Sequence, residues 1–250
     1  MKRIRWITAV FFLNSLMQAQ PVDSIFHRAN ELYRQGNYEK ALEQYRQIPA
    51  RGFHSSDLYF NMGNAYYKLN RIPWAIYYYE KALKLDPRNN DAKNNLQIAR
   101  RGIQDRIQRL PESFTRRMIK KIYMLFSPDT WAWLAVISLL TGWVAFVVYL
   151  YSRKPAIKRL FFTLFLIFLS LLPVFWQMGY RANRELSETY AIVMVPKSTL
   201  YTEPNLSSEK TGIVHEGLKV QIIEPDGDWY KIKLPDGKIA WITANEIKKI

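Results

Sequence analysis

Two stretches of the chain constrain its fold more than any other feature. Trp131 to Tyr151 (WAWLAVISLLTGWVAFVVYLY) and Leu160 to Tyr180 each run 21 residues without a charged side chain. As a helix, each rises about 31 Å and matches a hydrocarbon core of about 30 Å. Buried helices of a soluble core are the alternative, and both the length and the lack of charge count against it. Trp131, Trp133, Tyr149 and Tyr151 place amphipathic rings near both ends of the first run, and Trp176 and Tyr180 do so at the far end of the second. Neither run holds an Asp, Glu, Lys, Arg or His, which disfavours channels, proton relays and transporters. Ser138 and Gly142 form a small-xxx-small pair suited to close helix packing, and Pro173 is expected to kink the second helix.

Between the runs, residues 152–159 (SRKPAIKR) carry four cations and no anion. Such a loop marks the cytoplasmic side and puts both flanking regions outside. Arg116, Arg117, Lys120 and Lys121 precede the first run and oppose that orientation. They have a second reading. Phe114, Met118, Ile119, Ile122, Leu125 and Phe126 recur at helical spacing, so 111–127 is expected to form an amphipathic helix able to lie on the bilayer surface. Ser127 and Pro128 then supply a cap and a first helical turn for the span.

The net charge is +15. Residues 100–130 carry 8 basic and 3 acidic side chains and 131–180 carry 4 and none, whereas 181–250 balance at 10 each. Positive charge concentrated in and beside the most apolar segment points to anionic lipid as a partner and away from nucleic acid. At the start, Met1 to Arg5 is basic and Trp6 to Met17 is largely apolar but short for a span. Residues 1–19 therefore read as a signal peptide ending at Ala19, with an uncleaved anchor as the alternative. The chain has no cysteine, and its three histidines, His27, His54 and His215, lie far apart. That excludes disulfides, thiolate chemistry, Cys-ligated zinc and iron–sulfur clusters.

Residues 22–89 repeat with a period of 34, aligning Ala29 with Gly63, Leu32 with Tyr66, Ala41 with Ala75, Tyr45 with Tyr79 and Ile48 with Ala82. Small residues allow two antiparallel helices to approach, aromatics fill the gap, and Pro87 ends the unit. The second copy, Tyr59-Phe60-Asn61-Met62-Gly63-Asn64-Ala65-Tyr66 through Pro87, resembles the tetratricopeptide repeat. A third helix is expected from Asn90 to about Leu110, with Ala92, Leu96, Ala99, Ile103 and Ile107 capping the stack, so the module spans 22–110. The resemblance implies a peptide groove lined by Asp23, Phe26, Asn30, Tyr33 and Arg34, then Asp57, Phe60, Asn64, Tyr67 and Lys68. Asn30 and Asn61 match the asparagines of a chaperone-type carboxylate clamp, but Phe26, Asp91 and Asn95 stand where its cations belong. The aromatic groove suggests an apolar segment or helix as ligand. Packing between helices is the alternative role for Phe26, Tyr33, Phe60 and Tyr67.

From Tyr190 the pattern becomes short β-rich runs: Ala191–Val195, Leu200–Pro204, Val214–Val220, Asp228–Lys233 and Gly237–Ile242. Asp226-Gly227 and Pro235-Asp236-Gly237 supply hairpin turns. The blocks His215-Glu216-Gly217-Leu218-Lys219-Val220, Asp228-Trp229-Tyr230-Lys231-Ile232 and Asp236-Gly237 through Trp241-Ile242 resemble the bacterial SH3-like domain over 190–250. Strand alternation puts Tyr230, Ile232 and Leu234 in the core and Trp229 with Lys231 and Lys233 on the other face. Trp229 is a candidate for contact with peptide or glycan, with shielding of a barrel edge as the alternative; Tyr201 and Trp241 are further candidates. His215 reads as a structural loop residue.

No P-loop or dinucleotide fingerprint occurs. Ser207 and Lys210 have S-x-x-K spacing but fall in an expected loop before a strand. The chain reads as a non-enzyme without cofactor or metal. Its fold class is multidomain: an all-α tetratricopeptide module, a two-helix membrane hairpin (131–151 and 160–180) and an all-β SH3-like barrel. That order resembles the BatE type of Bacteroides aerotolerance (Bat) proteins. The resemblance implies an inner-membrane scaffold with both folded modules in the periplasm. Its implied partners are membrane proteins with von Willebrand factor A domains and a MoxR-type AAA+ ATPase, in aerotolerance or envelope stress. A peptidoglycan-binding sensor acting through the barrel is the alternative.

Overall fold

The structure is a computed structural model that describes residues 21–105, 107 and 113–250. The expected signal peptide lies outside the described residues. Five helices open the fold: α1 (Val22–Arg34), α2 (Tyr38–Ala50), α3 (Ser56–Lys68), α4 (Ile72–Leu85) and α5 (Asn90–Arg100). Their ends follow local chemistry. Ser55 Oγ accepts the Leu58 N–H at 3.1 Å, and Asn89 Oδ1 accepts the Ala92 N–H at 2.9 Å, each capping a helix N-terminus. α1 and α3 stop at Gly36 (φ 79°) and Asn70 (φ 57°), in left-handed conformation one period apart. The N–H of Asn37 then bonds Leu32 O and that of Arg71 bonds Tyr66 O, both at 2.9 Å, closing the same helix-ending turn twice.

Ile25, Ala29, Ala41, Tyr45, Met62, Ala65, Ala75 and Ile76 are wholly inaccessible. Gly63 is where α3 and α4 come closest: a Cβ there would lie 2.6 Å from the Tyr79 ring. The third helix is shorter than expected. α5 ends at Arg100, and Arg101-Gly102 turns the chain out of the helix. Ile103 still packs on the helical core, but Ile107 packs against the C-terminal sheet. The apolar face expected of one helix is thus divided between two cores.

Three further helices follow: α6 (Phe114–Tyr123), α7 (Pro128–Tyr151) and α8 (Pro155–Ser187). α7 and α8 are long and apolar enough to cross a membrane, and few of their residues are buried. They form an antiparallel hairpin. Its seam holds the small buried residues Ser138, Gly142 and Ala145 on α7. Ser138 Oγ donates to Phe168 O at 2.9 Å, and a Cβ on Gly142 would meet Phe168 Cβ at 3.2 Å. Burying a hydroxyl in this setting requires such an acceptor. α8 is continuous through Pro173 and extends one and a half to two turns beyond the apolar run, to Ser187. Nothing in Arg181–Ser187 breaks a helix, and Ala182 is buried there against Tyr123 and Trp131.

The C-terminal region is an antiparallel sheet of β1 (Thr189–Val193), β2 (Lys197–Tyr201), β3 (Lys210–His215), β4 (Lys219–Asp226), β5 (Trp229–Lys233), β6 (Ile239–Thr243) and β7 (Ile247–Lys249). The strand order is β3-β2-β6-β5-β4-β1-β7. Val193, Val214, Val220, Ile232 and Ile242 form its core. The expected run Val214–Val220 is two strands, divided by a turn at Gly217 with φ 85°.

The helical module and the sheet pack on one another. Ile192 of β1 belongs to the helical core, joined by Met194 and Ile250. At Gly217 a Cβ would lie 2.6 Å from Ile103 Cγ2 and 3.2 Å from Ile76 Cδ1, so the β3–β4 turn sits directly on the helices. Gly63→Ala forces a methyl into the α3–α4 contact. Overpacking of this kind costs about 1–3 kcal/mol. The expected result for the purified full-length protein is a melting midpoint lower by roughly 5–10 °C in the helical signal, read by circular dichroism.

Candidate functional site

The repeat places the same polar constellation twice. In the first copy, Asn30 Oδ1 accepts the Tyr45 hydroxyl at 2.5 Å and Asn61 Nδ2 at 3.0 Å. In the second, Asn64 Oδ1 accepts the Tyr79 hydroxyl at 2.7 Å and Asn95 Nδ2 at 2.8 Å. All three positions advance by 34 residues. Burial raises the hydroxyl pKa of both Tyr45 and Tyr79 well above the ordinary tyrosine value. Each therefore stays a neutral donor to its asparagine. The bonds tie each first helix to the helices on either side and fix the floor of the groove.

The groove candidates divide by exposure. Phe26 and Phe60 are half-buried, their ring centroids 6.0 Å from Tyr45 and 6.1 Å from Tyr79. They pack between helices. Tyr33 is half-buried edge-on to Tyr38, while Tyr67 and Lys68 are exposed. Asn30 and Asn61 bond one another, as does the pair Asn64 and Asn95. A cavity of about 240 Å³ opens over the second repeat, lined by Tyr33, Asn64, Tyr67, Lys68, Tyr79, Asn95 and Ile98. It offers ring faces, one ammonium, and the Nδ2 donors of Asn64, whose bonds to Tyr79 and Asn95 both use Oδ1. That lining suits a short peptide segment with an apolar side chain and a nearby carbonyl or carboxylate. Asn95 and Ile98 lie on α5 and extend the site one helix further than the first-helix pattern of the two repeats indicates.

On the sheet, the three aromatic candidates come together. Tyr201 is paired with Trp241 across β2 and β6. The Tyr201 and Trp229 rings meet edge-on at 5.3 Å. Lys231, opposite Trp241, holds its Nζ 5.6 Å from that ring. All four side chains are half-buried. Ile232 and Leu234 are buried on the reverse face with Tyr230 partly covered, as the alternation of β5 requires.

The seam between the modules uses other residues. Glu80 of α4, its side chain 8% exposed, bonds Arg100 and also accepts Lys219 Nζ at 2.7 Å. Asp105 accepts the His215 N–H at 2.5 Å on one oxygen and faces His215 Nδ1 at 2.8 Å on the other. Lys84 Nζ donates to Ile250 O at 2.8 Å, and Lys248 Nζ lies 5.0 Å from the Trp74 ring. His215 thus closes the β3 end against the helical module, a more specific role than the loop residue expected. One signal for the seam was present in the sequence. Glu80 is a lone carboxylate in the apolar and aromatic helix IPWAIYYYEKALKL, and a buried carboxylate needs cationic partners.

Comparison with known families agrees with the two modules. Residues 56–89 match the tetratricopeptide repeat and residues 198–248 match the bacterial SH3 domain. No curated protein matches the chain. The first helix pair lies outside the repeat match, yet it carries the same Asn-Tyr-Asn bonds.

Glu80→Gln keeps the shape and removes the charge shared by Arg100 and Lys219. Breaking a partly exposed charge cluster on one side costs about 1–2 kcal/mol here, below the range for fully buried pairs. Hydrogen exchange of the full-length protein is expected to speed up about tenfold in Glu80–Leu85 and Val214–Val220, with β5 unchanged. Equal exchange in all three segments would mean that apolar contacts alone hold the seam.

Proposed function

We propose that this chain is a non-enzymatic adaptor of the bacterial inner membrane, holding two binding modules as one unit outside the cytoplasm. The observation that carries this reading is the seam. It uses α4, the segment after α5, β1, β7 and the β3–β4 turn. It leaves uncovered both the cavity at Tyr67 and Lys68 and the aromatic cluster of Tyr201, Trp229 and Trp241. Two ligand faces thus stand at a fixed separation on one anchored body.

The same seam supports the orientation. Modules docked on one another lie on the same side of a bilayer, so two spans between them return the chain to that side. The hairpin turn is then opposite, and Arg153, Lys154, Lys158 and Arg159 around it favour the cytoplasm. The order of modules and its resemblance to BatE-type Bat proteins support partners with von Willebrand factor A domains, coupled to a MoxR-type ATPase in aerotolerance or envelope stress. A second reading, a peptidoglycan sensor, is favoured by one observation: aromatic faces grouped beside Lys231 form a surface fitted to sugar rings and peptide stems.

Crosslinking in native membranes followed by affinity purification and mass spectrometry tests the adaptor. Wild-type protein is expected to recover von Willebrand factor A membrane proteins. Tyr67→Ala with Lys68→Glu is expected to reduce that recovery at least tenfold while secondary structure is retained, since both side chains are exposed and anchors of this type are worth about 2 kcal/mol or more. Unchanged recovery would remove the groove from the reading. For the sensor, wild-type protein would sediment with purified sacculi and Trp229→Ala would lower the bound fraction severalfold; no sedimentation of the wild type would sink it.

A further inference from the structure

We propose that α6 and the protruding end of α8 form a binding ledge for anionic phospholipid headgroups at the membrane boundary. This rests on reading α7 and α8 as a membrane hairpin.

The ledge is built, not merely basic. At 100° per residue, Phe114, Met118, Ile119 and Ile122 of α6 occupy an arc of about 140°, and Arg116, Arg117, Lys120 and Lys121 an opposite arc of similar width. Phe114 is 70% exposed and Met118, Ile119 and Ile122 are exposed as well, so the protein itself leaves the apolar arc uncovered. The helix is clamped to α8. Lys120 bonds Glu185, the Tyr123 hydroxyl donates to the other Glu185 oxygen at 3.0 Å, and Trp131 Nε1 donates to Tyr123 O at 2.9 Å. A Cβ on Gly179 would lie 3.2 Å from Trp131 Cβ, and Ala182 is fully buried, so α6 is seated where the apolar run of α8 ends.

The occupant follows from continuity and charge. The uncovered apolar arc leads through exposed Leu125 and Phe126 into the lipid-facing surface of α7. A free phosphate ion would leave that arc in water; a lipid covers it with acyl chain while its headgroup meets the cations. α6 and Arg181–Ser187 together carry six cations and one carboxylate, and that carboxylate, Glu185, is committed to Lys120 and Tyr123. Arg116, Arg117, Lys121, Arg181 and Arg184 surround it as exposed positive charge. The ledge also accounts for basic residues on the side where the orientation rule disfavours them. They hold lipid; they do not report topology.

The test uses full-length protein in nanodiscs of phosphatidylcholine and phosphatidylglycerol at 3:1, with retained lipid counted by mass spectrometry after mild detergent extraction. Phosphatidylglycerol is expected to be enriched on wild-type protein. Arg116→Gln, Arg117→Gln and Lys121→Gln combined should lower the enrichment at least tenfold, since each basic residue at an anionic surface contributes roughly fivefold and three compound to about a hundredfold. Arg28→Gln, Lys40→Gln and Lys93→Gln remove equal charge from the helical module and should leave it unchanged. Because the chain has no cysteine, Met118→Cys accepts a single environment-sensitive dye. Its emission should be quenched by spin-labelled lipid and not by aqueous iodide. Equal phosphatidylglycerol enrichment in both triple variants, or iodide quenching at position 118, overturns the ledge. Failure of the wild type to enter the nanodisc overturns the hairpin itself.

Discussion

Glu80 anchors the sheet to the helical module, with Asp105 and His215 forming a second, partly buried polar contact across the same join. It sits on α4 inside the aromatic stack of the helical module, takes Arg100 from α5 and Lys219 from β4, and is almost completely covered. A carboxylate in such surroundings is unfavourable alone and acceptable only with cations in contact. Moving the sheet away removes Lys219 and leaves Glu80 with Arg100 as its remaining cation. The apolar contacts of Ile192, Ile103 and Gly217 add area to the same join, and Asp105 with His215 fixes its rotation. In the proposed reading, the placement of both modules on one side of the bilayer and the fixed spacing of their ligand faces both derive from this contact.

The join also turns the chain into a closed circuit. It leaves the helical module after Asp105, continues through α6 and the α7–α8 hairpin, and returns at the end of α8 to a sheet that rests on its starting point. Closing a long loop costs only slowly more entropy as it lengthens, and here most of the loop is rigid helix. Docking is thereby intramolecular, and contacts too small to join two separate proteins suffice.

Most of the architecture was legible because it rests on local periodicity. The 34-residue period located Ala29, Gly63, Ala41 and Ala75, and those small residues are where the helices touch. Alternation in β5 separated Ile232 from Trp229, and the uncharged runs gave α7 and α8. Three things were not legible, each for a non-local reason. Ile103 and Ile107 continue the spacing of the third helix toward Leu110, but they serve two cores that only the docked fold brings near. Val214–Val220 is a single β-rich run in sequence; Gly217 (φ 85°) divides it where the turn packs so tightly that a Cβ would lie 2.6 Å from Ile103 Cγ2, a residue 114 positions away. The position of Asn30 and Asn61 on their helices does not give their bonding: Asn30 Oδ1 accepts both the Tyr45 hydroxyl and Asn61 Nδ2 from the neighbouring helices. The aromatic trio Tyr201, Trp229 and Trp241 came together because all three belong to one sheet face, which alternation does encode.

The geometry limits how any partner in the cytoplasm communicates with this unit. On the proposed orientation, the turn between α7 and α8 presents only Ser152, Arg153 and Lys154 before helix resumes at Pro155. Among the described residues, no folded surface stands there for an ATPase to grip. The spans contain no ionisable group through which a charge movement might signal, and Ser138, Gly142 and Ala145 pack the hairpin too closely for one helix to slide past the other without loss of contact. In the proposed reading, work done on the cytoplasmic side reaches this chain by way of another membrane protein, bound on the outer side at the groove or the aromatic face. An adaptor of this build acts by where it holds its two ligands relative to each other and to the bilayer, and the seam at Glu80 and the ledge at Glu185 are the two contacts that set those positions.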